Sequence, residues 1–247
     1  IDLGGTPTNT TTSEVQNFNI IIRDAENQSH NRDFSLTVAD LPTGDNGNAT
    51  VSIGGTNYYV MKFTSNGTLT LYGDVTVDYL LVGGGGSGGL GSGGGGGGAG
   101  MLLTGTNLTL SAGAYDIAIG IGGRHTDSTY YHGEPGGVTK ITRNSDSTVM
   151  ALAIGGGTGG GENGTSPLHN GRDGGSGGGG FGHNTITGNA GSPVASFSSY
   201  TGYVGSTSTT FPAQTAVIPS GGLYYGNDGG AGGQIYFCGG GGGAGAD

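Results

Sequence analysis

From residue 67 onward the chain alternates apolar and polar positions. Thr70 separates Leu69 from Leu71, and Thr76 and Asp78 separate Val75, Val77 and Tyr79. A period of two is that of a half-buried strand. The same signal predicts strands over 18–23, 33–38, 49–53, 57–64, 67–71, 75–82, 101–103, 107–110, 115–121, 138–143, 148–154 and 234–238. Gly54-Gly55, Ser65-Asn66-Gly67, Gly73-Asp74 and Asn144-Ser145-Asp146 supply the turns. No window sustains a 3.6-residue period, so the fold class is all-β. The two strands within 18–38 cannot bury a core alone, and are expected to complete a sheet supplied from elsewhere.

Glycine interrupts this pattern repeatedly. Tyr79-Leu80-Leu81-Val82 runs into a glycine-rich stretch at 83–100, residues 148–154 run into Gly155, and residues 234–238 run into Gly239. Similar stretches lie at 171–182 and 226–233. Glycine makes up 62 of the 247 residues, with 7 prolines, which on composition alone suggests low complexity. Collagen is excluded, because glycine does not recur at every third position. Only 10% of residues are charged, too few for a chain solvated by charge, and the runs alternate with patterned strands.

Three readings of the runs compete. A phosphate-binding loop needs a strand before it and a helix after it, and no helix follows. A slack linker does not leave one buried strand and enter another repeatedly, and each ordered glycine costs about 1–2 kcal/mol of conformational freedom. The third reading is an extended threefold helix, the polyglycine form of polyproline II. It has no internal hydrogen bonds, so every N–H and C=O must pair with a neighbour. Side by side, such helices leave room only for glycine. On this reading the core is Gly83, Gly84, Gly85, Gly86, Gly93, Gly94, Gly95, Gly96, Gly97, Gly98, Gly155, Gly156, Gly157, Gly177, Gly178, Gly179, Gly239, Gly240, Gly241 and Gly242. Residues 83–100 would be its first rod, with Ser87, Leu90, Ser92 and Ala99 facing outward or toward the strands.

The order YYVMKFTSNGTLTLYGDVTVDYLLVGGGGSGG…GGGGGGAG, then LTLSAGAYDIAIGIGG, resembles the glycine-rich domain of phage tail-fibre and adhesin proteins, over about residues 49–247. The resemblance implies a β-sandwich or hairpin framework around a bundle of polyglycine II helices. It also implies a virion-surface location, assembly with other fibre subunits as a homo-oligomer such as a trimer, and a bacterial surface glycan or outer-membrane protein as bound partner. NFNIIIRDAENQSHNRDFSLTV resembles the last two strands of a bacterial-type immunoglobulin-like module. The expected organisation is a linker at 1–14, the end of that module at 15–41, and the glycine-rich domain at 42–247, continuing beyond the C-terminus. A cellular surface adhesin or extracellular filament is the alternative.

Charge and candidate chemistry narrow this reading. Net charge is −10 with 7 Lys+Arg, which leaves no electrostatic footing for nucleic acid. No apolar run approaches a membrane span. Cys238 is expected as a small buried hydrophobe. Asp45, Asn46 and Asn48 lack EF-hand spacing and read as a turn. His125, Asp127, His132 and Glu134 have no metal-ligand spacing, and the five histidines read as solvated loop residues. No serine sits in GxSxG and no carboxylate pair can be named, so neither an enzyme nor a cofactor is expected. Tyr130, Tyr131, Tyr200, Tyr203, Tyr224 and Tyr225, with Phe181, Phe197 and Phe211, read as loop aromatics. Tyr among Ser, Gly and Asn makes adaptable contact surfaces, while the alternative is that they cap a core lacking side chains. Residues 192–220, least rich in glycine, are the first choice for a recognition insertion.

Overall fold

The computed structural model describes residues 14–23, 29–38, 48–124, 133–162, 169–204, 207–234 and 237–244. It is all-β, with several antiparallel sheets and no helix among the described residues. The described residues form seventeen strands: β1 Glu14–Arg23, β2 Ser29–Val38, β3 Asn48–Ile53, β4 Thr56–Met61, β5 Gly67–Leu71, β6 Val75–Val82, β7 Leu102–Leu110, β8 Gly113–Ala118, β9 Thr139–Arg143, β10 Val149–Ala153, β11 Gly182–His183, β12 Ile186–Thr187, β13 Ser196–Phe197, β14 Tyr200–Val204, β15 Thr207–Phe211, β16 Gln214–Thr215 and β17 Leu223–Tyr225. A four-stranded sheet, β10-β9-β8-β5, faces a three-stranded sheet, β17-β7-β6. Their inward side chains meet in two clusters. One holds Tyr79, Leu81, Met101, Leu103, Ala151, Ala153 and Ile154, the other Leu69, Leu71, Leu110, Tyr115 and Ile117.

The segments 101–103 and 107–110, expected as separate strands, form one strand, β7. Their polar junction is a bulge. Val77 opposes Leu108 and Tyr79 opposes Gly105, so β7 carries an extra residue there. Asn107 takes a φ of 60° and its N–H donates to Asp78 Oδ1 at 3.2 Å. Asparagine tolerates this left-handed conformation better than most residues. The extra residue keeps the apolar positions in phase: Leu110 and Leu103 both face inward, which strict alternation would forbid.

Two further ribbons are not hydrogen-bonded to these sheets: among the described residues β1 pairs with β2, and β3 with β4, whose turn uses Gly54 and Gly55 at φ 58° and 83° and whose Met61 packs against the second core cluster. Between β9 and β10, Asp146 accepts from Arg143 Nε at 3.0 Å and Nη2 at 2.8 Å, and from the Thr148 N–H at 3.0 Å. These bonds, the Arg143 one foremost, lower its carboxyl from the usual 3.8 to about 2.

Beyond the sandwich the described residues include ten glycine-rich segments: g1 (83–90), g2 (93–101), g3 (119–124), g4 (133–138), g5 (154–162), g6 (169–175), g7 (176–182), g8 (188–194), g9 (226–233) and g10 (237–243). Their hydrogen bonds recur every three residues. In g1 the N–H groups of Gly83, Gly86 and Gly89 donate to Met101, Gly98 and Gly95 of g2, while those of Gly84 and Ser87 donate to Gly137 and Glu134 of g4. This is the repeat required of a threefold extended chain.

The register is inherited from the strands. Val82 opposes Leu102 at the end of β6–β7, and the next bond, Gly83 to Met101, continues the same antiparallel alignment. Likewise Ala118 opposes Lys140 in β8–β9, and Gly137 donates to Ile121 beyond it.

Segment g7 is the centre. Its N–H groups at 176, 179 and 182 donate to g2, those at 177 and 180 to g9, and those at 178 and 181 to g6. Its carbonyls at 176 and 179 accept from g5, those at 177 and 180 from g10, and those at 178 and 181 from g8. The six neighbours also bond to one another in order around the ring: g2, g5, g6, g8, g9, g10 and back to g2. Within residues 176–181 every backbone polar group is paired.

Residues 83–100 are therefore two antiparallel segments, not a single rod. The chain reverses at Gly91, whose φ is 109°, and Gly94 donates back to the Gly91 carbonyl at 3.2 Å. Ser87, expected to face outward or toward the strands, is buried within the glycine lattice, its hydroxyl donating to the Glu134 carbonyl of g4 at 3.2 Å. Leu90 and Ala99 are half-buried and Ser92 is exposed.

Asp146→Asn should slightly lower thermal stability at neutral pH. A carboxyl with a depressed pKa contributes stability above about 3.8 and loses it as pH falls through about 2. The variant and parent melting points should therefore converge below pH 2 in a calorimetric pH series.

Candidate functional site

The lattice leaves its mark on each glycine's surroundings. A Cβ at Gly95 would overlap the Gly179 carbonyl oxygen, one at Gly179 the Gly239 carbonyl, one at Gly178 the Thr158 carbonyl, and one at Gly157 the Arg172 carbonyl. These contacts are with backbone, which cannot swing aside. Gly83, Gly84, Gly86, Gly93, Gly94, Gly97, Gly98, Gly155, Gly156, Gly177, Gly239, Gly241 and Gly242 meet backbone in the same way, and a Cβ at Gly96 would lie 2.7 Å from the Gly241 nitrogen. Gly85 and Gly240 differ. The first has 3.7 Å of clearance and the second nothing within 4 Å, because they lie on outward sides of g1 and g10.

Side chains within the lattice are few and specific. Ser176, fully buried, donates from Oγ to the Gly243 carbonyl at 3.0 Å, and Asn227 Nδ2 donates to the same oxygen at 3.0 Å. Together they fasten g10 to g7 and g9. Gln214 Oε1 accepts from Gly155 N–H at 2.9 Å, and its Nε2 donates to the Gly136 carbonyl at 3.1 Å. Thr139 Oγ1 donates to the Val82 carbonyl at 2.6 Å and accepts from Gly120 N–H at 2.9 Å. These four residues bind the lattice where it joins the sheets.

Where the structure describes them, the candidate contact aromatics lie on separate strands rather than in loops. Tyr130 and Tyr131 lie outside the described residues. Tyr200 and Tyr203, expected in a loop, occupy β14, opposite Phe211 and Ser208 of β15. Tyr224 and Tyr225 occupy β17, opposite Leu103 and Leu102 of β7. Adjacent residues of a strand point to opposite faces, so these two do not form a shared patch; Tyr224 is exposed and Tyr225 half-buried. Phe181 is fully buried and stacks on His169 at 5.4 Å, and Phe197 packs against the first core cluster. Both serve packing.

The segment 192–220 is also part of the framework. Leu152 and Val217 exchange both backbone hydrogen bonds, at 2.9 and 3.1 Å, and β13 pairs with β16. Val194, Ala216 and Ile218 pack against the core. Within the segment, β14 pairs with β15 as a separate two-stranded hairpin. The sequence hid this because glycine-poor, Ser/Thr-rich composition reads as loop.

Histidine and cysteine are placed differently from expectation. His169 is buried rather than solvated, His183 is half-buried in β11, and His30 lies in β2. His125, Asp127 and His132 lie outside the described residues. Among the described residues no three His, Cys, Asp or Glu side chains lie close enough to hold a metal. Residues 237–238 form no strand, and Cys238 is exposed on g10 beside Phe237. The physical reason is that g10 is an edge segment, bonded on one side to g2, g7 and g9.

A β-sandwich whose strands extend into a side-chain-poor hydrogen-bonded lattice defines a glycine-built structural class. The chain belongs to the glycine-rich domain family, whose model matches residues 64–247. The match begins within the turn before β5 and takes in the whole lattice. No curated protein and no solved structure is significantly similar to the chain.

Gly95→Ala and Gly179→Ala should each cost about 3 kcal/mol, the upper end of what overpacking typically costs because the neighbours are backbone, and lower Tm by about 6–12 °C or prevent folding. Gly240→Ala, with space for its methyl, should leave Tm within about 2 °C of the parent. The native protein should also react through Cys238 with a thiol reagent as fast as an unfolded control; reaction only on unfolding would place the thiol inside.

Proposed function

We propose that this domain is a non-enzymatic structural protein of a phage virion, a tail-fibre or surface-appendage component. On this proposal the ten glycine segments are polyglycine II helices, and β1–β2 is the end of an immunoglobulin-like module. The observation that carries the reading is the three-residue hydrogen-bond repeat around g7, whose six neighbours are bonded to one another. Such a core needs no large apolar side chains and holds its loops on a rigid base, which suits an exposed fibre element.

Recognition of a bacterial surface glycan or outer-membrane protein is assigned to projecting elements rather than to the lattice. The β14–β15 hairpin is the first choice, because it can change without disturbing the residues that tie 192–220 to the core. Family membership and the −10 charge support a solvent-facing structural role.

Antibodies raised against the domain should decorate fibres of the intact particle and block attachment to the host. Labelling of a bacterial cell surface instead would establish the adhesin or filament alternative. Replacing residues 200–211 with an unrelated hairpin should change target binding while Tm stays within a few degrees; unchanged attachment would move recognition elsewhere.

A further inference from the structure

We draw no further inference here: the strongest candidate, the exposed apolar surface of the β3–β4 ribbon formed by Val51, Ile53, Tyr58 and Val60, carries nothing because nothing in the structure shows what covers it.

Discussion

An extended chain without internal hydrogen bonds must place every N–H and C=O on a neighbour, and this requirement governs the whole domain. In a sheet the neighbours lie in one plane. Here successive residues face successive directions, and g7 meets the requirement with donors to three segments and acceptors from three others. Water could satisfy the same groups, so the lattice exists only if its members are delivered already aligned. Glycine permits the approach, since a methyl at Gly178 or Gly179 would occupy space held by a carbonyl, but permission is not alignment.

Alignment comes from the sandwich. Strands β6, β8, β10 and β17 each run directly into a glycine segment, and β7 and β9 emerge from one. Two apolar clusters fix the strands, and the strand register passes unbroken into g1–g2 and g3–g4. The bulge at Asn107 belongs to the same device. By keeping Leu103 inward it brings Met101 into the core beside Ile154, whose carbonyl accepts the Met101 N–H at 3.0 Å. A conventional hydrophobic core thus nucleates an unconventional one.

Alternation made β5 and β6 legible to the residue, because their side chains face one core and one solvent layer. The short strands after residue 182 were not legible. Two- and three-residue pairings such as β11–β12 and β17 carry no periodicity, and tertiary hydrogen bonds alone define them. Which glycines lie inside was also hidden. Gly239 and Gly240 are identical neighbours in sequence, yet a side chain at the first would strike a carbonyl and at the second would meet open space. The aromatic residues misled for a related reason: Phe181 sits in a glycine run and looks like a loop residue, whereas its ring is fully buried against His169.

The three-residue repeat gives the lattice a reading frame. Adding or removing three residues within a segment shifts it by one turn and returns each later residue to the partner direction it had. Adding one or two turns every later N–H toward the wrong neighbour. Length variation should therefore accumulate freely at the reversals, such as the one at Gly91, and come only in triplets between them. The domain can grow taller in whole turns while its cross-section stays fixed by the ring around g7.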